Sequence, residues 1–211
     1  GFISGNLQAD MHTSPWRLTS INGDLSLDEI DFDLGQKSSP LSISRLRIQG
    51  TPQEGLRIEH SNLNWDDNDL ALEGLLQPQK DGSTLLELKI LANSLDWSRI
   101  HAQLAPLTEL WTRASGSSSQ AAAIEGQISI RIADFRYQDR IFSPLHLTWS
   151  LAADEPENVH ILEQTQLCGI SLPGKITIQP DHTQFTIAPS CKDLQLSATL
   201  ACLIPDQDRS E

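Results

Sequence analysis

Residues 126–137 read GQISIRIADFRY. Ile128, Ile130 and Ile132 alternate with Ser129 and Arg131, which predicts a strand with one buried and one wetted face. After Ile132 the apolar positions change parity, to Phe135 and Tyr137. Successive strand side chains point to opposite faces, so a one-residue slip reverses them unless a bulge absorbs the extra residue. This stretch therefore predicts both an amphipathic sheet and a local kink in it.

The same two signals recur in both directions along the chain. On the N-terminal side, Leu25 and Leu27 run out of phase into Ile30, Phe32 and Leu34, and Leu41 and Ile43 into Leu46 and Ile48. Leu56 and Ile58, Leu63 and Trp65, Leu70 and Leu72, then Leu86, Leu88 and Ile90 follow with period two. On the C-terminal side come Leu145, Leu147, Trp149 and Leu151, then Ile176 and Ile178, Phe185 and Ile187, and Leu194 and Leu196. Turn signals separate the runs at Asn22-Gly23, Gly50-Thr51-Pro52, Asp66-Asp67-Asn68-Asp69, Asp81-Gly82 and Pro180-Asp181. Such short intervals favour hairpins over crossover helices. The expected fold is all-β: a meandering antiparallel sheet, curved or rolled by its bulges into a groove.

One region departs from this grammar. Trp97, Ile100 and Leu104 have helical spacing, with Asn93 or Ser94 as N-cap and Asp96 in the first turn. Pro106 ends that helix, and Leu107, Leu110 and Trp111 form a second short one, before the flexible loop ASGSSSQ at 114–120. A short helical insertion near residues 95–113 is thus expected. With its Ser-rich loop it occupies 93–123 and divides a first β segment (1–92) from a second (124–205), ahead of a disordered tail (206–211).

The 211 residues carry 15 Lys+Arg against 28 Asp+Glu, a net charge of -13. That balance excludes a nucleic-acid binder, which displaces counterions with basic patches. No apolar run is long enough to span a bilayer as a helix. The chain begins at Gly1 and its single Met is Met11, so the expectation is a segment of a longer or processed chain. Leu and Ile dominate the apolar set; Val159 is the one Val and aromatics make up 5%.

No motif for chemistry emerges. His12, His60, His101, His146, His160 and His182 are scattered and are expected on surface strands and turns, so no metal site is expected. Asp66, Asp67 and Asp69 lack the mid-loop Gly of a calcium loop and read as a solvated turn. Gly169-Ile170-Ser171-Leu172-Pro173-Gly174 has the wrong spacing for a nucleophile elbow, and no Gly-rich loop opens a helix. The expectation is a protein that is not an enzyme and carries no cofactor. A four-strand meander over 159–170, 172–179, 183–189 and 194–203 would put Cys168 at the same end as Cys191 and Cys202 at the other. Cys168–Cys191 is then the favoured bridge; the other pairings, and three reduced cysteines, stay open.

The apolar stripes are the main candidate site. Leu86, Leu88, Ile90, Ile128, Ile130, Ile132, Leu145, Leu147, Trp149, Ile176, Ile178, Phe185 and Ile187 would line an apolar groove, because a single curled sheet has little of its own to cover that face. The plainer reading is the core of an ordinary sandwich.

The chain also resembles a known family. Ser61-Asn62-Leu63-Asn64-Trp65-Asp66 followed by Asp69-Leu70-Ala71-Leu72-Glu73-Gly74, Asp81-Gly82-Ser83-Thr84-Leu85-Leu86-Glu87-Leu88, and then Ala92-Asn93-Ser94-Leu95-Asp96-Trp97 is similar to the AsmA-like proteins of the Gram-negative envelope. So are Glu125-Gly126-Gln127-Ile128-Ser129-Ile130, Leu145-His146-Leu147-Thr148-Trp149, Leu167-Cys168-Gly169-Ile170 and Ala201-Cys202-Leu203, which resemble their C-terminal region. The resemblance covers roughly residues 20–203, through degenerate patterns of Leu/Ile, Gly and Asp. It implies a periplasmic protein whose parent is anchored in the inner membrane, a groove-forming sheet related to bridge-like lipid-transfer proteins, and a part in phospholipid traffic and outer-membrane assembly. The implied partners are phospholipid or another acyl-chain lipid and the remainder of the membrane-anchored chain. No catalytic residues carry over. The alternative is a β-sandwich interaction or carbohydrate-binding module of a surface or secreted protein, using Trp16, Trp65, Trp97, Trp111 and Trp149; Trp65 and Trp149, however, fall in phase with the apolar stripes.

Overall fold

A computed structural model describes residues 1–13, 16–32, 41–65, 68–97, 124–151, 158–178 and 183–204. The first half contributes β1 (Phe2–Thr13), β2 (Trp16–Phe32), β3 (Leu41–Thr51), β4 (Gly55–Trp65), β5 (Asn68–Pro78) and β6 (Thr84–Asp96). The second contributes β7 (Ile124–Tyr137), β8 (Arg140–Phe142), β9 (Leu145–Leu151), β10 (Asn158–Leu162), β11 (Gln166–Leu167), β12 (Ile170–Ser171), β13 (Gly174–Ile178) and β14 (Thr183–Ile187). One helix, α1 (Leu196–Leu203), follows.

All fourteen strands belong to one open sheet, in the order β1-β2-β3-β4-β5-β6-β7-β9-β10-β13-β14, with β8, β11 and β12 off this path. The all-β expectation holds, but the sheet is mixed. From β1 to β6 and from β7 to β14 every neighbour is antiparallel, while β6 and β7 pair in parallel from Thr84↔Ile124 to Asp96↔Arg136. Parallel pairing needs a connection long enough to return the chain to the starting end. Residues 97–123 supply that length, so β7 starts at the same end as β6 and runs in the same direction, where a hairpin would have reversed it.

The parity changes read from the sequence mark real irregularities. Glu29, between Leu27 and Ile30, takes φ 54°. The β3–β4 register shifts between Ile43 and Arg45 and again before Ile48. Ser44-Arg45 in β3, Asn93-Ser94 in β6 and Ala133-Asp134 in β7 are each two consecutive exposed residues, as a strand must show where its inward side chains change parity. These positions lie close to one line across the sheet, since Arg45 faces Asn62, Asn62 faces Ala71, Ala71 faces Leu91 and Leu91 faces Arg131. These aligned parity changes mark a crease line across the sheet; a register shift accompanies it between β3 and β4, while the β6–β7 ladder passes through it in register.

Three expectations are corrected. The N-cap at Asn93 or Ser94 is not there: β6 runs through Asp96, because Ser94, Leu95 and Asp96 are held by Asp134, Phe135 and Arg136 of β7. Helical backbone begins only at Trp97; the rest of the expected insertion, with its Ser-rich loop, and the tail 206–211 lie outside the described residues. The expected strand at 194–203 is α1. Its sequence LSATLACL is apolar on both parities and rich in Leu and Ala, the best helix formers, so no period of two directs it into a sheet. The disulfide changes with it. Cys168 bonds Cys202, not Cys191, which is free and exposed. As a helix, 196–203 folds back to the β11–β12 turn, where Thr199 Oγ1 donates to the Cys168 carbonyl at 3.3 Å and the Arg140 guanidinium donates to the Cys202 carbonyl.

The interior is thin. Among the described residues only Ile21, Ile43 and Ile132 are buried hydrophobics. The chain exposes 14313 Å², against roughly 9,700 Å² for a compact monomer of this mass.

Candidate functional site: the apolar face of the sheet

Directly opposed residues on neighbouring strands share a face. Gly5, Leu25, Ile48, Ile58, Gly74, Leu88, Ile128, Trp149, His160, Ile176 and Phe185 are successive partners, one from each strand of the main path. They form an apolar row across the whole sheet, broken in character only at His160. A parallel row joins Leu72, Ile90, Ile130, Leu147, Leu162, Gly174 and Ile187. Leu76, Leu86, Gly126 and Leu151 form a third, and Ala92, Ile132 and Leu145 a fourth. The separately read stripes are thus one surface. Ile178 occupies the ladder position opposite Asn158 and Thr183.

Gly74 shows how the rows pack. A Cβ there would stand 3.2 Å from Leu88 Cδ1 and 3.6 Å from Ile58 Cδ1. The two neighbours close over the gap, keeping the row continuous without a side chain at its middle.

Burial along the face is graded. Ile132 is 3% exposed, the row residues of β6, β7 and β9 are half-buried, and Phe185 on the outer strand is 63% exposed. Phe185 and Ile187 therefore stand at the open rim. Beyond the crease, Leu95, Phe135 and Phe142 continue in register, and Phe135 packs against Trp97 and Phe142 at 6.5 and 6.1 Å between ring centroids.

The opposite face is mixed, with charged and polar residues beside Ala71, Leu75, Leu85 and Leu91. Glu73, Lys89, Ser129 and Thr148 are successive partners on it. His60 Nδ1 lies 2.9 Å from Glu73 Oε1, and Lys89 Nζ donates to Oε2 at 3.4 Å. The His60 hydrogen bond, with a smaller contribution from Lys89, holds the Glu73 carboxyl below its ordinary value. Two shallow concavities of about 660 and 730 Å³ open on this side and meet at Arg131. The first follows the crease, past Asn62, Ala71, Leu91, Arg131 and His146; the second runs past Arg57, Glu73, Lys89 and Ser129. The acidic turn holds itself: Asn64 Nδ2 donates to Asp69 at 2.8 Å and Asn68 Nδ2 to the Trp65 carbonyl at 2.9 Å, while Asp66 and Asp67 lie outside the described residues.

Sequence reasoning missed Leu76, Leu162 and His160 of the apolar face. His160 was expected at the surface, yet it is half-buried there and stacks on Trp149 with ring centroids 5.1 Å apart and planes inclined by 26°. Burial pushes its imidazole below the usual histidine value. The strand Asn158–Leu162 carries apolar residues on both parities, and Val159 and Ile161 outbid a histidine. The register decides otherwise: Ile161 faces Thr148 and Lys175 on the opposite side and is 40% exposed.

The chain matches no protein-family model, no curated protein and no solved structure.

Proposed function

We propose that the apolar face of this sheet carries acyl-chain lipid, and that the chain is a non-enzymatic segment of a periplasmic AsmA-like protein supporting phospholipid transport and envelope biogenesis. The observation that carries the reading is the row from Leu25 to Phe185, ten strands wide, with Leu or Ile at six positions and His160 as its one polar member. Acyl chains are non-directional ligands. A half-exposed aliphatic surface holds them at about 25 cal/mol for each Å² of apolar area removed from water, without a fixed polar contact. A row that crosses every strand also lets a chain slide from one site to the next. The Cys168–Cys202 bridge supports an oxidising compartment such as the periplasm, and the sequence resemblance points the same way.

The test is lipid extraction and native mass spectrometry of purified protein, with uptake of a fluorescent acyl probe by a delipidated sample. Co-purified phospholipid and saturable uptake are the expected results. Absence of both, or a glycan competing with the probe for the Trp149 region, would favour the carbohydrate-binding alternative and overturn the lipid reading.

A further inference from the structure

The apolar face is not uniformly apolar. Among the described residues the buried side-chain nitrogens without a hydrogen-bond partner are Nε1 of Trp65, Nε1 of Trp149 and Nε2 of His160. A buried, unpaired polar group forfeits its hydration without replacement, so it is seldom left in place without a role. Two of the three adjoin, as Trp149 and His160 are direct cross-strand partners with stacked rings. They stand mid-row, between Ile128 of β7 and Ile176 of β13.

The indole N–H can only donate. Burial disfavours the charged imidazole, and a neutral ring that carries its proton on Nε2 is a donor there. Two unpaired donors carried by adjoining, stacked rings of the row complement an oxygen with two lone pairs. Hydrocarbon cannot satisfy them; the carbonyl, carboxylate or phosphate oxygen at the head of an acyl chain can.

We propose that Trp149 and His160 form a polar station on the apolar face, which binds the head oxygen of a fatty acyl ligand and fixes where along the row its head stops. The proposal rests on the lipid reading above and refines it from any apolar chain to one bearing an oxygen acceptor.

The test compares two fluorescent polyenes on the full chain: parinaric acid, which ends in a carboxylate, and diphenylhexatriene, which has no oxygen. Trp149→Phe and His160→Phe keep a ring at each position and remove the donor. Each should weaken parinaric acid about fivefold, the scale of one net hydrogen bond, and change diphenylhexatriene less than twofold. Unchanged diphenylhexatriene binding also reports that the variant is folded; should one variant unfold, the other carries the test. Native mass spectrometry after incubation with phosphatidylethanolamine vesicles separates the sources. Loss of retained phospholipid in the variants assigns a glycerolipid head, and retention alongside weakened parinaric acid assigns a free fatty acid. Equal weakening of both probes, or no weakening of parinaric acid, overturns the station. Wild-type protein that binds only diphenylhexatriene overturns it while sparing the lipid reading, whereas protein that binds neither probe overturns both.

Discussion

Ile130 and Arg131 are neighbours in β7 that serve opposite faces, and exchanging either for Asp tests which face does the binding. Ile130 lies between Ile90 and Leu147, and Arg131 between Leu91 and His146. Strands stand about 4.8 Å apart, so the Ile130 position and its two partners make up roughly 10 Å of the path across the sheet. A carboxylate in that path keeps its water and forces a bound acyl chain to lift away. If the chain loses contact over about four methylenes, at about 0.8 kcal/mol each, the loss is about 3 kcal/mol, or roughly a hundredfold or more in affinity. Arg131→Asp alters charge on the opposite face by the same kind of group and should change affinity less than threefold. The assay is titration of delipidated protein with a fluorescent fatty acid at constant ionic strength, with circular dichroism to confirm that both variants keep their sheet. Equal losses in the two variants, or full binding by folded Ile130→Asp, would refute the assignment of the apolar face.

Other consequences are open to direct measurement. Cys202→Ser opens a loop of sequence separation 34, for which the chain-entropy relation gives roughly 3.8 kcal/mol; urea unfolding should show a loss of that order, while Cys191→Ser should be nearly silent, and the reverse ranking would contradict the bridge. Because burial depresses the His160 pKa, the native state favours the neutral ring. Stability should be full above the unfolded value of about 6.5 and fall as pH drops below it towards the depressed native value, and His160→Phe should flatten the melting temperature over that window. Gly126 has φ +130°, and a Cβ there would lie 2.0 Å from the Leu86 carbonyl oxygen. Gly126→Ala should therefore cost at least about 2 kcal/mol in chemical denaturation, and a neutral result would count against the parallel β6–β7 pairing at that point.

Much of the sheet was legible because its signal is local. The alternation of Leu86, Leu88 and Ile90, or of Leu145, Leu147 and Trp149, follows from the pleat alone, which sends every second side chain to the same side. The parity changes at Glu29, Ser44-Arg45 and Ala133-Asp134 were legible for the same reason, since each inserts one residue into a period of two. Where a segment carries apolar residues on both parities, that signal vanishes. LSATLACL then follows helix propensity and its packing on the β11–β12 turn, and Cys202 reaches Cys168 only because it is helical. Asn158–Leu162 is equally ambiguous by itself, and it took pairing with Trp149 on one side and Ile176 on the other to turn His160 to the apolar face.

Local pattern is enough to set the class of the fold, the amphipathic character of most strands and most of the residues in the apolar stripes. Each depends on contacts between residues close in the chain. Long-range pairing is what lines up the stripes of eleven strands as one surface, makes β6 and β7 parallel, selects the bonded cysteines, and sets a histidine beside a tryptophan within the row. These depend on register between segments distant in sequence, and a strand's own pattern states which face is apolar without stating which neighbour it will meet.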